Sequence, residues 1–214
     1  MLNSHTKILG IGLSRTGTMS LTKALTILGI KTRHYPNDKT TQNELKAGNY
    51  DLSVLQEVQA LTDIPVSPYY AQLDRLFPQS KFILTTRPTD SWLRSIENHF
   101  RLYVEHRRDD FDDFVHACVY GSLHFSADRF AYVKELHEAN CRRYFADQPE
   151  KLLVLDFHQG DDGWAKICGF LGCPVPNEVF PHENKSRSYP ATPTKRAIPT
   201  KRTGLLTRLR RMMD

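Results

Sequence analysis

Short apolar segments alternate with amphipathic ones over most of the chain. Residues 6–12 form an apolar run with β-branched character, which predicts a strand buried on both faces of a sheet. Residues 18–28 then repeat apolar side chains at helical spacing, and Gly29 follows where such a helix would end. Residues 52–61 mix the two periods and predict a helix that runs into a strand. The same patterns predict strands at 31–35, 81–86 and 152–155, and helices at 40–47, 69–77, 89–103, 111–125, 128–145 and 162–171.

The alternation of strands and helices predicts an α/β fold with a parallel central sheet and helices on both of its faces, in three layers. With 214 residues, 40% of them apolar, the chain can fill one buried core but is short for two. We therefore expect one domain over residues 1–190. From residue 191 the chain is rich in Pro, Thr and basic residues, which predicts an extended tail over 191–214 with a short amphipathic helix near its end.

The net charge of +5 changes this picture little, because the excess lies in the tail. Residues 191–214 hold seven basic side chains and one acid, whereas residues 1–190 hold 22 basic and 23 acidic groups. A basic tail on a nearly neutral domain is no argument for a nucleic-acid ligand, and we expect none. Contact of the tail with a membrane surface or an acidic partner stays open.

The sequence predicts a cytoplasmic protein. No stretch approaches the roughly 18 apolar residues that cross a bilayer, and residues 1–7 lack the layout of a signal peptide. The cysteines form no Cys-x-x-Cys pair and stand near no regularly spaced histidines, which argues against a zinc site or a disulfide framework. We expect no metal.

The loop after the first predicted strand, residues 10–18, is the first candidate for chemistry. It joins a buried strand to a helix, where backbone N–H groups and the helix dipole converge on an anion. Gly12 and Gly17 match the glycines of the nucleoside-triphosphate fingerprint G-x-x-x-x-G-K-[ST], but Thr18 and Met19 replace its lysine and its Mg²⁺-binding hydroxyl. The loop instead offers Arg15, which suits a single phosphate that carries a sulfuryl group.

A second pair of residues follows another predicted strand. Arg87 comes directly after the strand at 81–86, and Ser95 lies eight residues later, two turns into the next helix. Open α/β sheets bind ligands at the carboxyl ends of their strands, so both side chains can reach one further phosphate. Two anion sites on one sheet edge predict a nucleotide that is phosphorylated at two places.

These segments resemble the donor-binding motifs of the sulfotransferases, which have a P-loop-like fold. Arg15-Thr16-Gly17-Thr18 resembles the 5′-phosphosulfate loop of a compact branch of that family, and Arg87 with Ser95 resembles its 3′-phosphate motif. The resemblance covers about residues 8–188. It implies sulfuryl transfer without a metal from 3′-phosphoadenosine 5′-phosphosulfate (PAPS) to a hydroxyl or amine of a small-molecule or glycan acceptor, with adenosine 3′,5′-bisphosphate as product. The implied donor-binding residues are Ser14, Arg15, Thr16, Gly17, Thr18, Met19, Arg87, Ser95, Lys185 and Arg187.

The resemblance also implies the catalytic residues. Asp63 lies in an Asp-x-Pro turn, where the compact branch carries its catalytic base, and Arg15 would stabilise the charge on the leaving phosphate. His34 is the alternative base. An acceptor pocket would use aromatic side chains, for which the candidates are Tyr35, Tyr69, Tyr70, Phe100 and Tyr103.

Two other functions stay open on the sequence alone. The loop could serve a P-loop nucleotide kinase or hydrolase, although the missing lysine argues against it. A protein that keeps the fold and binds a nucleotide without catalysis, with its basic tail on a membrane or a partner, would also carry these motifs.

Overall fold

The computed structural model describes residues 6–104, 109–157 and 163–182. Its five strands are β1 Ile8–Gly10, β2 Thr32–His34, β3 Ala60–Thr62, β4 Lys81–Thr85 and β5 Leu152–Leu155. The α-helices of the described residues are α1 Thr18–Ile27, α2 Lys39–Lys46, α3 Val54–Glu57, α4 Tyr70–Leu76, α5 Thr89–His99, α6 Asp110–Tyr120, α7 Ala127–Tyr144 and α8 Gly163–Leu171. A short 3₁₀ turn, Ser67–Tyr69, precedes α4, and a π-helical turn, Phe100–Val104, follows α5.

The strands form one all-parallel sheet in the order β2-β3-β1-β4-β5, which confirms the predicted fold class. Gly10 at the end of β1 lies opposite Thr62 of β3 and Ile83 of β4. Because the strands run in one direction, the segments that follow them all emerge at the same edge of the sheet. The loops with the candidate chemistry follow β1, β2, β3 and β4, so they share that edge.

Helices cover both faces of the sheet, as the alternating pattern predicted. On one face, Leu9 and Leu84 pack with helix residues such as Trp92 and Phe130 in the larger core. On the other, Ile8, Ile83 and the side chains of α1 and α8 form a second core. Successive residues of a strand point to opposite faces, which explains why β1 and β4 contribute to both cores.

Several element boundaries differ from the predictions. The predicted strand 6–12 is reduced to Ile8–Gly10, because the chain turns into the loop after that glycine. The predicted helix 111–125 ends at Tyr120, since Gly121 adopts a left-handed φ of 62° and terminates it. The predicted helix 89–103 divides into α5 and the wider π-helical turn.

The predicted tail, residues 191–214, lies outside the described residues. None of the helices in the described ranges is long and apolar enough to span a bilayer.

Candidate functional site

The loop after β1 is held tightly against the sheet. Gly12 lies so close to β4 that a Cβ there would come within 1.9 Å of Thr85 Oγ1. Thr16 braces the turn from inside: its hydroxyl donates to the Leu13 carbonyl (2.6 Å) and lies 2.7 Å from Thr85 Oγ1, and its N–H donates to the same carbonyl. The hydroxyl and the N–H of Thr16, a donor ligand in the sequence prediction, thus have partners in the loop and on β4.

Helix α1 begins directly after this turn and points its N-terminus at the sheet edge. Gly17 precedes it with a φ of 110°, and the first bond of the helix runs from Leu21 N–H to the Gly17 carbonyl. The N–H groups of Thr18 and Met19 belong to the first turn of the helix. Backbone N–H groups in a first turn have no helical carbonyl to which they can donate. This arrangement attracts an anion even though the loop has no lysine.

Two arginines meet beside the loop. Arg15 Nε donates to Ser95 Oγ (3.2 Å), and Arg87 Nη1 donates to the Arg15 carbonyl (3.4 Å). Arg87 Nε donates to Ser91 Oγ (3.0 Å), which in turn donates to a backbone carbonyl. The two arginines thus lie at one edge of the sheet, as the sequence predicted, but Ser95 contacts Arg15, and Ser91 orients Arg87. Ser91 was not among the predicted residues, because only the direction of α5 decides which of its serines meets Arg87.

Burial and nearby charges, including the carboxylate of Asp63 for Arg15 and that of Asp156 for Arg87, act on this arginine pair. Burial lowers the pKa of both groups, and the charge of Arg15 lowers the pKa of Arg87 further, yet arginine stays charged at physiological pH. Two partly desolvated arginines side by side form a candidate site for an anion that carries more than one charge.

A cleft of about 490 Å³ opens next to Arg87. It lies between the residues that follow β4, the end of β5 and two helices, α7 and α8. Its wall carries more basic than acidic side chains, which extends the positive field around Arg87. The cleft is lined by Thr86, Arg87, Pro88, Thr89, Lys134, Glu138, Arg142, Val154, Asp156 and Lys166.

Asp63 emerges from β3 next to the loop and is 6% exposed. Its Oδ1 accepts hydrogen bonds from Ser14 Oγ (2.7 Å) and from the Ile64 N–H (2.8 Å). Its Oδ2 lies 3.1 Å from His34 Nε2. Burial would raise the pKa of Asp63, but the hydrogen bonds and the charge of His34 outweigh that effect and hold it below its usual value. Asp63 is therefore a carboxylate at neutral pH.

The two candidate bases of the sequence analysis are thus partners. His34 is the last residue of β2, and β2 is the neighbour of β3 in the sheet. Because the register places His34 opposite Thr62, its ring reaches the residue that follows Thr62, which is Asp63. The sequence did not reveal this contact, because it depends on the order of the strands.

Backbone strain is concentrated around these residues. Among the described residues other than glycine, positive φ values occur at Arg15 (70°), Tyr35 (46°) and Asp63 (83°). They follow β1, β2 and β3 at the same edge of the sheet. Left-handed conformations of such residues cost about 1–3 kcal/mol each and are found most often at functional sites.

Helices α5 and α6 close the side of the site opposite the sheet. His99 lies one turn beyond Ser95 on α5. Burial and the charge of Arg15 lower the pKa of His99, and together they outweigh the charge of Asp63, which raises it. The Tyr120 hydroxyl lies near Ser14 and Asp63, and burial raises its pKa. These two residues were not assigned a role from the sequence, because only the packing of the helices brings them to the site.

The four described aromatic residues proposed for an acceptor pocket, Tyr35, Tyr69, Tyr70 and Phe100, belong to the larger core or pack against it. Tyr35 is at the site edge, and its hydroxyl donates to Asp112 Oδ1 (2.5 Å). Phe100 belongs to the core, where it is 4% exposed, and Tyr69 and Tyr70 pack against that core. The side chain of Tyr103, together with Lys185 and Arg187, lies outside the part of the chain that the structure describes.

Residues 6–104, 109–157 and 163–182 contain no group of three or more histidine, cysteine or acidic side chains placed to hold a metal ion.

Comparisons with known proteins agree with this architecture. A family model described as a sulfotransferase domain matches residues 7–189. The chain is 28% identical over 209 residues to Ava biosynthesis cluster protein M from Aspergillus versicolor, and the match covers 82% of this chain and 80% of that protein. Among solved structures, a sulfotransferase from Alicyclobacillus acidocaldarius has a similar fold, with a TM-score of 0.54 and 14% identity over 86% of this chain and 87% of that one.

Proposed function

The chain belongs to the sulfotransferase family, and from this premise we propose that it transfers a sulfuryl group from PAPS to a hydroxyl or amine of an acceptor. The observation that carries the proposal is the meeting of Arg15 and Arg87 at one edge of the sheet, linked by a 3.4 Å hydrogen bond. A single nucleotide with a phosphate at each end of its ribose can contact both arginines. The absence of the P-loop lysine at residue 18 favours this donor over a nucleoside triphosphate.

The 5′-phosphosulfate would bind at the loop after β1. The N–H groups of Thr18 and Met19 at the start of α1 and the guanidinium of Arg15 would surround it, with Ser14 and Gly17 shaping the loop. The 3′-phosphate would bind to Arg87, oriented by Ser91, and to Ser95. Lys185 and Arg187 remain proposed donor ligands from the sequence alone.

The reaction would proceed as an in-line displacement at sulfur. The acceptor oxygen or nitrogen forms a bond to sulfur while the bond from sulfur to the 5′-phosphate oxygen breaks. Arg15 and the helix N–H groups stabilise the charge that grows on the leaving phosphate. Asp63 accepts the proton of the acceptor, and adenosine 3′,5′-bisphosphate leaves.

The surroundings of Asp63 suit the role of a base. Its lowered pKa keeps it charged at neutral pH, and each carboxylate oxygen can accept two hydrogen bonds. Oδ1 accepts hydrogen bonds from Ser14 and Ile64, whereas among the described residues the hydrogen-bond partner of Oδ2 is His34. The remaining position on Oδ2 is the one that we assign to the acceptor proton.

The acceptor in this proposal is a small molecule or a glycan. We expect no nucleic-acid partner, and contact of the basic tail with a membrane is part of the proposal. A cytoplasmic location is part of the same proposal, because Cys118, Cys141, Cys168 and Cys173 are free thiols, as expected in a reducing compartment.

Calorimetric titration tests the donor assignment. We expect the protein to bind adenosine 3′,5′-bisphosphate without a metal, and Arg87→Ala to weaken binding by about 10- to 100-fold, the value of one charge-assisted hydrogen-bond pair. Arg101→Ala is the matched control, because Arg101 is exposed and contacts only Asn98 among the described residues. Preferential binding of ADP with Mg²⁺ would instead identify a nucleotide kinase or hydrolase.

Transfer from ³⁵S-labelled PAPS tests the reaction. The probe acceptors are 2-naphthol, benzyl alcohol and benzylamine, which separate phenol, alcohol and amine chemistry. Loss of a general base costs typically 10²- to 10⁴-fold in rate, and we expect that loss in Asp63→Asn with bisphosphate affinity retained. Bisphosphate binding with no transfer to any acceptor would favour a non-catalytic nucleotide-binding protein.

A further inference from the structure

A chain of hydrogen bonds joins Asp63 to the first turn of α1. His34 Nε2 lies 3.1 Å from Asp63 Oδ2, and His34 Nδ1 lies 3.1 Å from Thr62 Oγ1. Thr62 Oγ1 is 2.7 Å from Thr22 Oγ1, which is 2.8 Å from the Thr18 carbonyl. The chain thus begins at the proposed base and ends at the helix turn that would bind the phosphosulfate.

The two hydroxyls can serve His34 in either of its charge states. When the ring is neutral, Thr22 donates to Thr62 and Thr62 donates to Nδ1. When the ring is charged, Nδ1–H donates to Thr62, Thr62 donates to Thr22, and Thr22 donates to the Thr18 carbonyl. In both states Nε2–H points at Asp63, because a hydroxyl can reverse its role by rotation. The imidazole therefore keeps its place whether or not it is charged.

We propose that His34 is a positioning residue for Asp63. The hydroxyls of Thr62 and Thr22 can reverse their hydrogen bonds, so they hold the His34 ring in both of its charge states. Asp63, the base, therefore stays oriented toward the acceptor. The inference rests on the proposed function, in which Asp63 is the base. His34 itself does not take the acceptor proton, because Asp63 and Thr62 occupy both of its nitrogens.

Other charged groups also face Asp63 and must be separated from the effect of His34. Arg15 approaches from the loop after β1, His99 from α5 and Tyr120 from α6. Burial raises the pKa of Tyr120, so that its hydroxyl stays protonated. Burial lowers the pKa of His99, so that it titrates in a more acidic range than an ordinary histidine. Arg15 does not titrate near neutral pH.

The tautomer of His34 gives a direct test by ¹⁵N NMR, independent of any acceptor. In the wild-type protein the neutral ring should carry its proton on Nε2. In Asp63→Asn the side-chain oxygen should still accept hydrogen bonds from Ser14 and the Ile64 N–H. The amide N–H₂ of the new asparagine then faces His34 Nε2. The neutral ring should then switch its proton to Nδ1. A wild-type ring protonated on Nδ1, or no switch in the variant, would overturn the proposal.

The pH profile of kcat/KM, measured with the fastest of the three probe acceptors, gives the kinetic test. His34→Ala removes the contact that lowers the pKa of Asp63, so the acidic limb should move to higher pH and kcat should fall about 10- to 100-fold. His34→Gln places an amide N–H near the position of Nε2, where it can reach Oδ2, and should restore most of kcat. Thr22→Val, which breaks the chain without touching Asp63, should lower kcat with little change in KM.

The controls separate this inference from the proposed function. His124→Gln changes an exposed histidine and should leave the profile unchanged. If wild-type protein transfers sulfuryl groups while His34→Ala keeps the wild-type kcat and acidic limb, the positioning role is refuted and the proposed function stands. If wild-type protein neither binds the bisphosphate nor transfers sulfuryl groups, the proposed function fails, and with it the role of His34 in it.

Discussion

The turn before α1 offers a sharp test of how closely the loop is fitted to its surroundings. Gly17 has a φ of 110°, and a Cβ at this position would lie 2.6 Å from Cδ2 of Phe157. An alanine at this position lowers the free energy of unfolding in two ways. The backbone conformation costs about 1–2 kcal/mol for a residue with a side chain, and the overlap with the ring costs about 1–3 kcal/mol more if the structure must shift.

Gly29 provides the matched control, because its φ is 77° and a Cβ there would meet nothing within 4 Å. We expect Gly29→Ala to cost only the backbone part, about 1–2 kcal/mol, and Gly17→Ala to cost about 2–5 kcal/mol. Urea unfolding gives both values, and calorimetry with adenosine 3′,5′-bisphosphate should show weakened binding for Gly17→Ala alone.

A double-mutant cycle isolates the contribution of the ring. In a Phe157→Ala background the overlap is gone, so Gly17→Ala should cost no more than Gly29→Ala does in the wild-type protein. Equal costs for the two glycine variants in the wild-type background, with unchanged bisphosphate affinity, would refute the fitted loop.

Two further predictions concern acid stability and thiol reactivity. The lowered pKa of Asp63 stabilises the fold above the ordinary carboxyl value of about 4 and loses this effect as the pH falls through the folded-state value. The difference in unfolding free energy between wild type and Asp63→Asn should therefore be constant above about pH 5 and shrink at lower pH in urea titrations; a difference that grows with acid would contradict the assignment. Burial raises the pKa of Cys141 to about 12, so at pH 8 iodoacetamide should label the exposed Cys118 and leave Cys141 unmodified until the protein unfolds, as mass spectrometry would show. Labelling of Cys141 in the folded protein as fast as Cys118 would disprove its burial.

Much of the site could be predicted because its residues follow local rules. Arg15 lies in a glycine-containing turn between a strand and a helix, and Arg87 directly follows a strand, so their position on the sheet edge is implied by a parallel sheet. The serine partners could not be assigned in the same way. Ser91 and Ser95 lie one turn apart on α5, and only the direction of that helix decides which serine meets which arginine.

Apolar spacing, glycines and helix starts are encoded within short segments, so the alternation of strands and helices, the parallel sheet and the loops with the candidate chemistry follow from the chain alone. The contact between His34 and Asp63 depends on the fold, since the two are 29 positions apart and become neighbours through the pairing of β2 with β3. The strained backbone of Arg15, Tyr35 and Asp63 was also beyond the sequence. Left-handed φ values at such residues persist only where the surrounding contacts hold them, and those contacts come from distant parts of the chain.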